Sequence, residues 1–292
     1  MELRVAVVVD DNYRNQLSVL TYQLAKFSRQ EVELYVFFDQ NAWPVGSREE
    51  AATHCRKLGL KLQLVPSAEP EVASQAHEPE HLQATTAHHL RLGFDRMEGQ
   101  FLFLDIDVLL ARGWEDIFAI TPSDKNSLFA AATDQLVKNH GDYRNNQALI
   151  SQSSRYFNSG VMLFFRPEIS DSNRTRLNQA IAGASKLGFQ FGDQCIFNWV
   201  FGGVVEELPQ RLNAQYFSRS EPKPLIYHFA GDQKPWHFGL RKSTIRRHGN
   251  RIWKYRVVAV CAMFRIHGWR APRKLRSLFS RFPYQVAKVA VG

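Results

Sequence analysis

The chain has 292 residues, of which 45% are hydrophobic and 22% are charged, and this composition excludes an intrinsically disordered protein. The length is sufficient for one large domain, or for one domain with an appendage. The formal net charge of +9 is unevenly distributed, because residues 241–292 contain fourteen Lys and Arg residues and no Asp or Glu, whereas residues 1–240 contain 23 basic and 28 acidic residues.

Strand-like and helix-like apolar patterns alternate along the first hundred residues. A short continuous apolar run indicates a buried strand, and apolar residues three and four positions apart indicate a helix. The sequence therefore predicts, in chain order, a strand at 5–9, a helix carrying Leu17, Leu20, Leu24 and Phe27, a strand at 32–38, a helix at 48–58, a strand at 60–65, a loop at 66–79 and a helix at 81–94. This alternation favours an α/β fold with a mostly parallel central sheet flanked by helices.

A further apolar strand, predicted at 101–107, ends in two carboxylates one residue apart, Asp105 and Asp107. Because side chains alternate along a strand, both are expected to emerge on one side while Ile106 points into the packing. Two such carboxylates suit a hard divalent cation, which would in turn accept phosphate oxygens. The alternative interpretation is that this Asp-x-Asp only ends a strand and caps the segment that follows.

A second polar cluster follows the first predicted strand and consists of Asp10, Asp11, Asn12 and Tyr13. In a parallel sheet it would share the carboxyl edge with the Asp-x-Asp pair, which is where ligands bind in such sheets. Asp and Asn can hydrogen-bond a base or ribose, and Tyr13 offers a ring for stacking. The alternative is that the cluster caps the following helix. No glycine-rich loop follows the strand, so a Rossmann dehydrogenase or a P-loop enzyme is not indicated.

Three later segments concentrate polar residues next to apolar runs. Asn158-Ser159-Gly160 precedes a strand-like run, Asp193 and Gln194 stand at the start of a predicted helix, and residues 226–236 combine His228, Gly231 and Lys234. Each segment alone has an ordinary structural explanation, such as a solvated turn for Lys234.

Taken in order, these motifs resemble glycosyltransferase family 8, the group that contains glycogenin and the lipooligosaccharide α-galactosyltransferases. The resemblance extends over about residues 3–237 and is carried by Asp10-Asp11-Asn12-Tyr13, Arg91-Leu92, Asp105-Ile106-Asp107, Phe157-Asn158-Ser159-Gly160, Asp193-Gln194 with Asn198, and His228-Phe229-Ala230-Gly231 with Lys234-Pro235-Trp236. It implies a GT-A fold, a UDP-sugar donor, Mn²⁺ or Mg²⁺ as cofactor, and transfer of a hexose, glucose or galactose, with retention of its anomeric configuration.

The resemblance also implies a role for each matching residue. Asp105, Asp107 and His228 are expected to bind the metal, and a nitrogen ligand favours Mn²⁺ over Mg²⁺. Residues expected to act in catalysis are Asp193, Gln194 and Lys234. Residues expected to bind the donor are Asp10, Asp11, Asn12, Tyr13, Arg91, Asp105, Ile106, Asp107, Asp134, Asn158, Asp193, Gly231 and Lys234, of which Asp134 is the weakest match.

Within that set, the resemblance assigns the nucleoside to Asp10, Asn12 and Tyr13, and the diphosphate to Gly231 and Lys234. Asn158 and Asp193 would hold the sugar hydroxyls, and Gln194 would face the reacting carbon. Because the amide of Gln194 is a poor nucleophile, attack on the same face as the leaving group is favoured, with Asp193 as the alternative nucleophile.

The basic C-terminal segment, 241–292, is predicted to be an amphipathic tail beyond a catalytic domain of residues 1–240. Its two apolar stripes are edged with arginines and consist of Trp253, Val257, Val260 and Phe264, and of Leu275, Leu278, Phe279 and Phe282. Such stripes suit a helix lying on an anionic membrane surface. The alternative is that they belong to the core.

Three scattered cysteines and an N-terminus unlike a signal peptide favour a cytoplasmic protein, and the basic tail would hold it on the inner face of the membrane. The expected partners are a UDP-sugar, a saccharide or glycolipid acceptor and the membrane surface. Two other classes remain open: a nucleic-acid-binding protein with a degenerate catalytic domain, which the intact motifs disfavour, and a non-catalytic sugar-nucleotide-binding protein.

Overall fold

The computed structural model describes residues 2–40, 42–66, 97–135, 155–166, 168–183, 193–202, 205–215, 223–231, 233–237 and 240–267. The strands within these residues are β1 Leu3–Val8, β2 Val32–Phe38, β3 Lys61–Pro66, β4 Phe101–Leu104, β5 Val108–Leu110, β6 Phe129–Thr133, β7 Phe157–Phe164, β8 Val205–Glu207 and β9 Ile226–His228. The helices are α1 Arg14–Phe27, α2 Val45–Leu58, α3 Asp171–Gly183, α4 Asp193–Phe201, α5 Lys242–His248 and α6 Arg251–His267. Single 3₁₀ turns cover Asp11–Tyr13 and Gln210–Leu212, and a longer one covers Trp114–Ala119.

Within the described residues, seven strands form one sheet in the order β3-β2-β1-β4-β7-β6-β8. β7 is antiparallel to both of its neighbours, while the other pairs are parallel. Six strands therefore point the same way, which confirms the predicted mostly parallel sheet. A second sheet pairs β5 with β9 in antiparallel register and places Val108 opposite His228.

The central sheet is buried on both faces, as is typical of parallel strands covered by helices. Along β1, Leu3, Val5 and Val7 pack into the hydrophobic cluster that contains α1, whereas Ala6 faces a second cluster rich in phenylalanine. This alternation explains why β1 reads as a continuous apolar run in the sequence.

The predicted strand at 101–107 was too long. Ladder pairing ends at Leu104, and the Asp105 amide donates to the Gly160 carbonyl at 2.8 Å before the chain turns through Ile106 and Asp107. The two carboxylates therefore converge because of a turn between two sheets. Strand alternation was the wrong reason for their proximity.

The other predicted element boundaries differ less from those in the structure. The helix predicted at 48–58 begins at Val45, directly after Pro44, and ends at Leu58 as expected, with Gly59 in the left-handed region at φ 72°. The predicted helix at 81–94 and the apolar stripe at 275–282 lie outside the described residues, as does the predicted loop at 66–79 apart from Pro66, which ends β3.

Helix α6 packs on the fold although it belongs to the predicted tail. Ile252, Tyr255 and Ala262 are buried in one cluster with Tyr227 and Phe229. The predicted stripe lies on the less buried part of this helix, and Trp253 within it is 51% exposed. Among the described helices, none has the length and apolar character that crossing a bilayer requires.

Candidate active site

The turn after β4 and the end of β9 bring together Asp105, Asp107 and His228. The register of β5 with β9 sets this approach, and the Phe229 amide fixes it further by donating to the Asp107 carbonyl at 3.0 Å. His228 Nε2 lies 3.4 Å from Asp105 Oδ2 and 3.2 Å from Asp107 Oδ1. Two chain segments separated by more than a hundred residues thus meet at one point.

The cluster fits a divalent cation. One ligand atom from each residue lies within 4.8 Å of the others, and among the described residues no other group of His, Cys, Asp or Glu does this. Neighbouring ligands of an octahedral ion with bonds of about 2.1 Å are about 3.0 Å apart, close to the two distances from His228. Two oxygen donors and one nitrogen donor are a set that Mn²⁺ accepts readily.

The side chain of Asn158 determines how His228 is oriented. Its Oδ1 accepts from the Gly160 amide at 3.0 Å and from Asn213 Nδ2 at 2.9 Å, and lies 3.0 Å from His228 Nδ1. Because the Gly160 amide can only donate, this Asn158 atom is the oxygen, and His228 Nδ1 must carry a proton. Nε2 is then left for the carboxylates or for a metal, which is the arrangement found around ligating histidines.

Gly160 provides the space that His228 occupies. A Cβ at this position would lie 2.1 Å from His228 Cε1 and 2.6 Å from Asp105 Oδ2. The glycine is required by this close approach and not by its backbone conformation, since its φ is not positive. The sequence motif contains Gly160, but sequence reasoning did not place it in the site.

Lys234 and His228 balance the charge of Asp107. Lys234 Nζ donates to Asp107 Oδ2 and, at 3.2 Å, to the Phe229 carbonyl. Burial opposes ionisation of Asp107, but the charges of Lys234 and His228 hold its pKa well below the usual value. Burial alone would lower the pKa of His228, whereas Asp107 and Asp105 raise it to about 9. The carboxylate of Asp107 is thus kept in the form that binds cations.

A buried amide network adjoins the cluster on the other side of Asn158. Asn158 Nδ2 donates to Gln194 Oε1 at 2.8 Å, and Gln194 Nε2 donates to Asp134 Oδ2 at 2.8 Å. Asp193 is half-buried at the start of α4, with Ser159 Oγ at 3.5 Å from its Oδ2. The weakest sequence match, Asp134, therefore lies beside Gln194.

The segment after β1 reaches the cluster from another direction. Asp10 caps its own 3₁₀ turn by accepting from the Asn12 amide at 2.9 Å, and Ser47 donates to Asp11 at 2.6 Å. Asp10 therefore caps this short turn, whereas helix α1 begins after Tyr13 without a side-chain cap, so the predicted capping of the helix is wrong. Burial raises the pKa of Tyr13, and nearby Asp10, Asp107 and Asp105 raise it further against the effect of Lys234, so this ring is close to the carboxylates.

The model of glycosyl transferase family 8 matches residues 4–239 of the sequence. The chain belongs to this family. Lipopolysaccharide 1,2-glucosyltransferase of Escherichia coli K12 is 25% identical over 266 residues, which cover 80% of this chain and 73% of that protein. General stress protein A of Bacillus subtilis 168 is 22% identical over 259 residues, which cover 80% and 87% of the two chains.

The crystal structure of the galactosyltransferase LgtC with donor and acceptor sugar analogues has the same fold. Its TM-score is 0.69 at 20% identity, and the match covers 94% of this chain and 99% of LgtC. The protein is therefore a family 8 glycosyltransferase with the GT-A fold, as the sequence motifs predicted.

For this glycosyltransferase, the structure brings most of the predicted site residues into one region. Ile106 is half-buried against the core, and Arg91 lies outside the described residues. Sequence reasoning missed Gly160 and Asn213. A glycine directly before an apolar run was a usable signal for the first, whereas Asn213 stands in a segment without any motif.

The network predicts that Asn158→Asp separates two functions of the site. An oxygen would still accept from Gly160, Asn213 and His228, so Mn²⁺ affinity should remain near that of the wild type. On the other side, a carboxylate oxygen would face Gln194 Oε1, to which the amide of Asn158 donates in the wild type. The two oxygens repel each other, so Gln194 should be displaced and the rate of sugar transfer should fall on the order of a hundredfold. Titration with Mn²⁺ and a transfer assay would measure both, with Asn126→Asp on an exposed loop as the matched control. Loss of Mn²⁺ affinity in Asn158→Asp would contradict the prediction.

Proposed function

We propose that this glycosyltransferase moves a hexose, glucose or galactose, from a UDP-sugar to a saccharide or glycolipid acceptor during synthesis of lipopolysaccharide or another cell-surface glycan. The reaction would retain the anomeric configuration and depend on a divalent metal, Mn²⁺ or Mg²⁺. The observation that carries the proposal is the Asp105–Asp107–His228 cluster with Lys234 beside it. The names of the Escherichia coli relative and of LgtC support the class of sugar and product.

The residues of the chain suggest how such a transfer proceeds. When bound by Asp105, Asp107 and His228, the metal would supply Lewis-acid stabilisation of the departing diphosphate. Lys234 adds a compact positive charge on the same side, where it stabilises negative charge that grows as the sugar leaves. Tyr13 and the turn at 10–12 would bind the nucleoside.

Retention of the anomeric configuration requires either a covalent intermediate or attack from the face of the leaving group. The amide of Gln194 is neutral, and both of its polar atoms are engaged by Asn158 and Asp134, so it is not suited to attack the sugar. We therefore favour attack by the acceptor on the same face as the leaving group, with the departing phosphate taking the proton. Asp193 is the alternative nucleophile.

A panel of UDP-sugars tests the proposal. The purified full chain would be incubated with each donor and Mn²⁺, and UDP release would be measured with and without saccharide acceptors and with a chelator as control. Release from a UDP-hexose that the chelator stops is the expected result. No release from any donor would instead favour a non-catalytic sugar-nucleotide-binding protein.

We further propose that residues 241–292 hold the enzyme at the inner face of an anionic membrane, next to the catalytic domain of residues 1–240. Ile245 on α5 and Trp253 on α6 are each 51% exposed, in a segment that has basic residues and no acidic ones. Apolar side chains surrounded by cations suit the interface of anionic lipids.

The vesicle prediction concerns these two side chains. The Ile245→Ser/Trp253→Ser variant should bind phosphatidylglycerol vesicles roughly tenfold more weakly, because two exposed apolar groups no longer enter the interface. Val45→Ser is the matched control, since Val45 is 59% exposed on α2, outside the tail. Co-sedimentation measures binding, and equal binding by both variants would contradict the proposal. Deletion from 241 is a poor test, because it removes the buried Ile252 and Tyr255.

A further inference from the structure

Helix α6 holds the short turn that begins at Lys234. Within this turn the His237 amide donates to the Lys234 carbonyl at 3.0 Å, and the Lys234 amide donates to His237 Nδ1 at 3.2 Å. Arg256 reaches the turn from α6, with Nε donating to the Pro235 carbonyl at 2.8 Å and Nη2 donating to the His237 carbonyl at 2.8 Å. One guanidinium group therefore bridges two of the three residues that follow Lys234.

The guanidinium of Arg256 is itself held in a defined place. It is half-buried, and its Cζ lies 5.7 Å from the centroid of the Trp253 ring, three residues earlier on the same helix. The next residue on α6, Tyr255, is buried and packs its ring 5.7 Å from that of Trp236, between the two bonded carbonyls. A planar fork on a packed helix can fix two carbonyls at once, which suits Arg better than Lys.

Lys234 depends on such support, because it belongs to neither a helix nor a strand. Its Nζ reaches Asp107 Oδ2 and the Phe229 carbonyl through a flexible four-carbon stem. The position of the ammonium group is therefore set by the backbone from which the stem starts. A displacement of about 1 Å in a group that acts on the reacting atoms can cost about a hundredfold in rate.

We propose that Arg256 is a positioning residue, which fixes the turn after Lys234 and so aligns the Lys234 ammonium group with the diphosphate of the donor. Arg256 acts through the two backbone carbonyls and not on the donor itself. It lies beyond residues 4–239, which the family model matches, so the C-terminal segment of this chain supports the donor site from outside that region. The inference rests on the proposed function, because it presumes that Lys234 meets a diphosphate.

A double-mutant cycle tests the inference by calorimetric titration of the full chain with UDP and with uridine, in the presence of Mn²⁺. R256M keeps the apolar length of the side chain and removes both hydrogen bonds, so UDP binding should weaken on the order of tenfold where Lys234 is present. In the K234M background, R256M should change UDP affinity by less than about twofold, because there is no ammonium group left to align. Uridine binding should be unchanged throughout.

A matched control is Arg166, an exposed arginine just after β7 that also donates to a backbone carbonyl, that of Asn126, at 3.0 Å. R166M should bind UDP and uridine as the wild type does. R256K retains the charge and can donate to one of the two carbonyls, so its UDP affinity should lie between those of the wild type and R256M. R256K also replaces R256M in the cycle if R256M fails to fold.

The outcomes separate this inference from the proposed function. If the wild type binds UDP more tightly than uridine but R256M binds UDP as the wild type does, the role of Arg256 is wrong and the proposed function stands. Equal weakening of UDP and uridine binding, or the same loss of UDP affinity with and without Lys234, would also overturn the inference, because either result indicates a general structural role. If the wild type gains nothing from the diphosphate, the UDP-sugar donor and the inference both fail.

Discussion

Gly160→Ala is expected to abolish both metal binding and sugar transfer. The added Cβ would lie 2.1 Å from His228 Cε1 and 2.6 Å from Asp105 Oδ2, both shorter than any stable contact. His228 cannot easily move away, because Asn158 holds its Nδ1 and because β9 is paired with β5. β7 cannot easily move either, since the Gly160 carbonyl accepts from the Asp105 amide. The clash must therefore displace His228 or Asp105, both of which are proposed metal ligands.

Gly160→Ala is expected to lower the stability of the protein much less than its metal binding and its activity. Overpacking of this kind lowers the free energy of unfolding by about 1–3 kcal/mol, which a domain of this size tolerates. Mn²⁺ affinity would be measured by electron paramagnetic resonance, transfer by UDP release, and stability by thermal unfolding. Gly46→Ala is the matched control, because a Cβ at Gly46 meets nothing within 4 Å. A folded Gly160→Ala protein with wild-type Mn²⁺ affinity would show that His228 and Asp105 are not ligands.

The parts of the fold that the sequence predicted are those with long, periodic patterns. β2 matches the predicted range 32–38, and α1 carries the predicted apolar stripe that ends at Phe27. Seven or more residues are enough for a periodic signal, and these elements are stabilised by burial of that same pattern. The order of the motifs was likewise sufficient to identify the family.

The second sheet shows what could not be predicted. β5 and β9 have three residues each, too few for a period, and the pairing of Val108 with His228 joins positions 120 residues apart. The contacts of Asn213 with Asn158 depend on that pairing and on the turn at Gln210–Leu212. Motif matching therefore pointed to the three candidate ligands but could not show what orients them.

Asp107→Asn is expected to cost more activity than Asp105→Asn. Asp107 is buried and contacts both Lys234 and His228, whereas the side chain of Asp105 is 37% exposed. An asparagine at 107 would remove the charge that balances Lys234, and its amide hydrogens would repel a cation. Transfer should fall on the order of a thousandfold for Asp107→Asn, and less for Asp105→Asn, whose place near the metal a water can partly fill.

Loss of Asp107 also leaves Lys234 without its charged partner, so reduced activity could arise from unfolding alone. The free energy of unfolding should fall by about 3–5 kcal/mol in Asp107→Asn for this reason. The Asp107→Asn/Lys234→Met variant removes both charges and should recover much of that stability while remaining inactive. Asp171→Asn, exposed at the start of α3, is the control for the substitution itself. UDP release and thermal unfolding would be measured for each variant, and near-normal, metal-dependent transfer by both Asp105→Asn and Asp107→Asn would contradict the metal site. Activity regained along with stability in the double variant would instead mean that Asp107 serves the fold and not the reaction.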